Sequence, residues 1–144
     1  AINNNENICI LGDYDVDGAC STSLLVRYLN YINQKNFFYI PDRNKDGYGA
    51  SKKLFQKLIL KKPKLIIMVD CGSTSNDAIE YLNKNNIKSI IIDHHDINKP
   101  YPKADVIINP KKDRAGTPEL FGSSIFKGLE NKKYCFSQLR FCRI

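Results

Sequence analysis

The sequence predicts an α/β fold, a mostly parallel sheet of about five strands with helices on both faces. Two observations predict it. Short apolar runs recur along the chain at 8–11, 37–40, Leu65–Val69, 87–92 and Val106–Ile108, and segments with apolar residues at three- and four-residue steps lie between the first four of them. Such alternation of strand and helix is what βαβ units with right-handed crossovers require. No internal repeat, low-complexity tract or flexible linker interrupts the pattern.

Ile8, Cys9, Ile10 and Leu11 form an apolar run that ends in Gly12 and a cluster of carboxylates, the signature of a buried strand followed by a turn. Leu24, Leu25, Tyr28, Leu29 and Ile32 then place one face of a helix over 21–34 against the sheet, with Ser21 and Thr22 suited to cap it. Residues 37–40 make the second strand. After a loop at 41–49, Ser51 can cap a second helix with Leu54, Phe55, Leu58 and Ile59 as its apolar stripe, and Pro63 lies beyond its end. Leu65–Val69 is a third strand, Ser75 can cap a third helix carrying Ala78, Ile79 and Leu82, and 87–92 is a fourth strand. Val106–Ile108 adds a further strand and 121–129 the start of a further helix, while the pattern fades from Tyr134.

A chain of 144 residues fits one domain, which buries about two-thirds of the surface exposed by the unfolded chain. Its apolar runs are far shorter than the roughly 20 residues a membrane span needs, and no basic-then-apolar leader opens it, so a cytoplasmic location is expected. Five cysteines (Cys9, Cys20, Cys71, Cys135 and Cys142) show no CxxC spacing, which argues against a zinc knuckle or a disulfide framework. Cys9 and Cys71 are expected as small buried thiols. The formal net charge of +7 suits a polyanionic partner. A composition rich in Lys, Asn and Ile also follows from an AT-rich genome, so charge alone does not decide the partner.

In open α/β sheets ligands bind outside the carboxyl ends of the strands. Here those positions hold acids and histidines: Asp13, Asp15 and Asp17 after the first strand, Asp70 after the third, and Asp93, His94, His95 and Asp96 after the fourth. A single aspartate after a strand is ordinarily a helix cap or turn residue. Three strand ends bringing carboxylates to one rim would repel one another unless cations held them. Oxygen-rich sites with one or two imidazoles favour Mn²⁺ or Mg²⁺ over zinc. Two such ions about 3.5 to 4 Å apart would clamp the attacking and leaving oxygens of an in-line displacement at phosphorus.

Arg43, Lys45, Tyr48, Lys52 and Lys53 form a basic and aromatic group that could follow a single nucleic-acid strand, with phosphates on the cations and a base on Tyr48. The plainer alternative is a solvated turn containing Gly47 and Gly49, with Tyr48 covering the core. Gly18, beside Asp17 at a helix start, leaves backbone N–H groups for an anion.

The order Asp13-Tyr14-Asp15-Val16-Asp17-Gly18, then Val69-Asp70-Cys71-Gly72, then Asp93-His94-His95 resembles the first three motifs of the DHH phosphoesterases. The stretch 41–49, Pro102-Lys103-Ala104-Asp105 and Ile108-Asn109-Pro110 resemble segments of the RecJ-type exonucleases within that family. The resemblance implies that Asp15 and Asp17 are metal ligands, Asp70 the ligand bridging two ions, and His94 a nitrogen ligand. It implies that His95 faces the substrate phosphate, that Asp13 adds a ligand or orients one, and that Asp93 fixes the tautomer of a neighbouring imidazole. It further implies a 5′ to 3′ exonuclease that releases mononucleotides from single-stranded DNA in repair and recombination, with two Mn²⁺ or Mg²⁺ ions. The expected setting is a monomer in the bacterial cytoplasm, with a single-strand-binding protein as a partner of longer family members.

Residues 1–130 are expected to be a DHH phosphoesterase domain, and 131–144 an unassigned tail. The domain is expected to stop short of a further aspartate motif, a second domain and an OB-fold, and hence to be feebly active alone. Three competing readings remain at this stage. One is a DHH phosphodiesterase on oligonucleotides, cyclic dinucleotides or pyrophosphate, against which the 41–49 loop argues. Another is a haloacid-dehalogenase-type phosphatase built on Asp15-Val16-Asp17-Gly18, which leaves Asp93-His94-His95 unexplained. The third is an inactive nucleic-acid-binding remnant.

Overall fold

The computed structural model describes residues 1–47 and 49–112. The expectations for Tyr48, for a helix at 121–129 and for a domain boundary at 130 lie outside the described residues. After a single 3-10 turn at Ile2–Asn4, the elements are β1 (Ile8–Gly12), α1 (Val16–Tyr31), β2 (Asn36–Tyr39), α2 (Lys52–Ile59), β3 (Leu65–Val69), α3 (Asn76–Lys84), β4 (Lys88–Ile92) and β5 (Val106–Ile108).

The five strands form one sheet in the order β2-β1-β3-β4-β5, and every neighbouring pair is parallel. The α/β fold read from the alternation is the fold found. Side chains along a strand point to opposite faces in turn, and the apolar runs use both. Ile8, Ile10 and Val69 pack with Leu29, Leu24, Leu25 and Ile32 of the α1 side. Cys9, Leu11, Ile66, Met68 and Ile91 pack on the other face with Leu54, Phe55 and Leu58 of α2 and Ala78, Ile79 and Leu82 of α3. Burial on both faces explains why β1 reads as a continuous apolar run rather than an alternating one.

One helix boundary and one cap differ from expectation. Helix α1 begins at Val16, not Ser21, and its cap is Asp15, whose side chain accepts a hydrogen bond from Gly18 N. Apolar periodicity reports which residues are buried, and Val16 and Asp17 in the first turn are exposed at the rim, so no period marks that turn. Ser21 and Thr22 are instead buried within the helix. Ser51 caps α2 as expected, accepting from Leu54 N at 3.2 Å. Ser75 stands at the N-cap position of α3, but its hydroxyl makes no capping bond.

Strand β1 is flanked by β2 on one side and β3 on the other, so successive crossovers leave it in opposite directions. This is a topological switch point, and it opens a crevice at the carboxyl ends of β1 and β3. Among the described residues, no helix is long and apolar enough to cross a membrane.

Candidate metal centre

Strand register brings the acids together. Gly12 pairs with Val69, and Val69 with Ile92, so the next residues, Asp13, Asp70 and Asp93, leave three adjacent strands at one level. All three are buried. Asp13 Oδ1 accepts from Tyr14 N at 2.7 Å, which turns the chain sharply towards α1. Asp15 follows, exposed, with Oδ1 accepting from Gly18 N at 2.9 Å. That backbone bond, above all, holds its carboxyl below the ordinary carboxylate range. A Cβ on Gly18 would stand 2.4 Å from Asp13 O, so only glycine lets the first turn of α1 lie against the Asp13 backbone.

Asp70 is held in an unusual state. Its backbone takes φ 61°, the left-handed region that non-glycine residues enter at some cost. Its amide still donates to Ile92 O at 2.9 Å, so the sheet fixes the turn. Oδ1 lies 3.0 Å from His94 Nε2 and 4.0 Å from His95 Nδ1, while Oδ2 is buried without a hydrogen-bond partner. Burial, and then the neighbouring Asp15 carboxyl, push Asp70 up to about 7. An orphaned buried carboxylate oxygen is costly, and a cation is the partner its surroundings fit.

Asp93 is the opposite case. Oδ2 accepts from Ser73 N at 3.0 Å, and Oδ1 accepts from His94 N at 2.8 Å, His95 N at 3.1 Å and His95 Nδ1 at 2.7 Å. Burial pushes its carboxyl up, but the bonds from Ser73 and His95 outweigh it and the net shift is downward. For His95 burial lowers the pKa, and the Asp93 bond outweighs that effect, so the net direction is upward. With Nδ1–H donating to Asp93, Nε2 is the acceptor of the neutral ring. The imidazole whose tautomer Asp93 fixes is therefore that of His95.

Two sets of side chains result. Asp70, His94 and His95 offer ligand atoms within 4.8 Å of one another, and so do Asp13, Asp15 and Asp70. Asp70 belongs to both, so the two sets share one carboxylate. Asp17 is exposed in the first turn of α1 and lies outside both sets. Arg43 reaches the rim from the β2–α2 loop, its guanidinium carbon 5.5 Å from the centroid of the Tyr14 ring. The rest of that basic group is dispersed: Lys45 pairs with Asp42 at 3.5 Å, and Lys52 lies over Tyr81 of α3. Cys9 and Cys71 are buried, and burial raises both thiols, Cys9 to about 12.

The profile of the DHH family, N-terminal domain, matches residues 7–137. The chain belongs to the DHH family. This DHH domain is 35% identical over 127 residues to the single-stranded-DNA-specific exonuclease RecJ of Bacillus subtilis, covering 87% of the chain and 16% of that protein. It is 36% identical over 104 residues to RecJ of Escherichia coli, covering 72% of the chain and 18% of that protein. A solved exonuclease RecJ bound to manganese superposes with a TM-score of 0.72 at 32% identity, covering 85% of this chain and 30% of that one. RecJ of Thermus thermophilus in complex with Mn²⁺ gives a TM-score of 0.67 at 27% identity, over 86% of this chain and 18% of that one. The chain thus spans a fifth or less of the length of the curated RecJ relatives named.

One residue of the DHH site escaped the sequence reading as a contributor. Asn109, following β5, donates from Nδ2 to Ser73 Oγ at 2.7 Å and to His95 O at 2.9 Å. It ties the loops after β3 and β4 to the last strand. The signal was available, since Asn109 is a polar residue directly after a strand at the same rim.

Proposed function

We propose that this chain is the metal-binding part of a phosphodiesterase that degrades single-stranded DNA from its 5′ end, releasing mononucleotides in repair and recombination within the bacterial cytoplasm. The carrying observation is the buried Asp70 carboxylate, shared by two ligand sets and left with an orphaned oxygen. Support for the substrate comes from the relatives, which are named single-stranded-DNA-specific exonucleases.

In this reading Asp13 and Asp15 would hold one cation and His94 the other, with Asp70 common to both sets, while Asp17, expected as a ligand, stands outside them. Two divalent ions, Mn²⁺ or Mg²⁺, supply the positive charge that stabilises an in-line displacement at phosphorus. His95, oriented by Asp93, turns Nε2 to the substrate. When protonated it donates to a phosphate oxygen, and its raised pKa enlarges that protonated fraction near neutral pH. Arg43 meets a backbone phosphate, and Tyr48 offers a ring on which a base can stack.

The test is nucleotide release from a 5′-labelled single-stranded oligonucleotide with Mn²⁺, comparing the full-length protein, its Asp70→Ala variant and the present chain. Cleavage by the full-length protein that Asp70→Ala abolishes is the expected result, with little from the present chain. A full-length protein inert on DNA but active on a small phosphodiester or pyrophosphate would overturn the substrate assignment.

A further inference from the structure

The loop between β2 and α2 contains a buried charge that the metal centre does not use. The Asp46 side chain is 3% exposed. Its Oδ2 accepts from Tyr39 Oη at 2.6 Å and from Asp42 N at 3.2 Å, and its Oδ1 accepts from Lys57 Nζ at 2.6 Å. These donors come from β2, from the start of the loop and from α2, so one carboxylate ties together both elements flanking the loop. The turn it closes is tight: Asp42 O accepts from Lys45 N and Asp46 N, and Asp42 Oδ1 accepts from Asn44 N. Arg43 sits in this turn and points back to the rim, over Tyr14, whose own amide is bonded to Asp13.

A loop that merely connects a strand to a helix has no use for a buried carboxylate, since burying one is costly unless it is fully hydrogen-bonded. A loop that must deliver a cation to a fixed point gains from it, because a pre-organised side chain loses less freedom on binding. We infer that Asp46 is a positioning residue for Arg43: gripped by Tyr39, Asp42 and Lys57, it sets the guanidinium beside the metal centre to receive a backbone phosphate of a single nucleic-acid strand. The inference rests on the substrate role proposed for Arg43.

A double-mutant cycle separates positioning from general stability. The readout is the Kd of the full-length protein for a fluorescent single-stranded oligonucleotide in EDTA, where no turnover occurs. Arg43→Ala and Asp46→Ala should each weaken binding by roughly tenfold, the scale of one charge-assisted hydrogen bond. The double variant should be no weaker than Arg43→Ala alone, and Asp46→Ala should bind Mn²⁺ as the unaltered protein does. If Arg43→Ala weakens binding and Asp46→Ala does not, or if the two losses multiply, the positioning role is wrong. If Arg43→Ala leaves Kd unchanged, the substrate role of Arg43 fails and the inference falls with it. Should Asp46→Ala not fold, Lys57→Met and Tyr39→Phe each remove one donor from the same carboxylate. Their losses, of roughly threefold, should likewise vanish in the Arg43→Ala background, and losses that persist there would overturn the inference.

Discussion

Asp70 and Asp93 leave adjacent parallel strands at the same level and are both buried, yet they are satisfied in opposite ways. Asp93 accepts three backbone N–H bonds and one from an imidazole. Asp70 has one oxygen near two imidazoles and the other with no partner, on a backbone in the left-handed region. Burial alone therefore does not say what a carboxylate is for. A satisfied one holds its neighbours in place, and an orphaned one between clustered ligand atoms is placed where a cation could complete it.

The largest expected effect is that of Asp70→Ala in the full-length protein. Removing a ligand common to both sets should abolish Mn²⁺ binding at physiological concentrations and cost several kcal/mol of transition-state stabilisation, on the order of a thousandfold in nucleotide release. Next is the pH dependence of the metal-free chain. Asp70 rises from 3.8 to about 7 on folding, so the unfolded chain ionises first as pH rises. Stability should then fall between about pH 4 and pH 7, by on the order of 4 kcal/mol at 1.4 kcal/mol per pH unit. Asp93 works in the other sense: its lowered pKa contributes stability above the ordinary carboxylate pKa, lost as pH falls through the folded value. Urea midpoints at about pH 5 and about pH 8 should show the first slope without metal and its suppression by saturating Mn²⁺.

Asp93→Ala should cost about 3 kcal/mol in a urea titration, because the Ser73, His94 and His95 amides lose their acceptor. It should also lower nucleotide release by roughly 10- to 100-fold through misorientation of His95. The smallest effect is that of Asn109→Ala, about 2 kcal/mol for three lost side-chain bonds. A loss from Asn109→Ala as large as that from Asp93→Ala would place the main brace of the histidine loop at β5 rather than at Asp93.

Much of the fold and of the candidate site was legible in the sequence. All five strands were, because each apolar run is bounded by turn residues, and parallel topology sends their carboxyl ends to one rim. Asp13, Asp15, Asp70, His94 and His95 were legible for the same reason, and the site brings them together. The start of α1 was not, because its first turn buries nothing at Val16 and Asp17. Nor was the bracing by Asn109 and Asp46, whose hydrogen bonds join elements distant along the chain. Pattern shows where a side chain stands relative to a strand end. It does not show which distant donors reach it, and that is what separates Asp70 from Asp93.

The most direct test of the shared-ligand account is a calorimetric Mn²⁺ titration of the full-length protein beside its Asp70→Asn and Asp93→Asn variants. The account predicts two ions for the unaltered protein, two ions held more weakly in Asp93→Asn, and loss of both in Asp70→Asn. Retention of two ions by Asp70→Asn, with loss in Asp93→Asn, would contradict it.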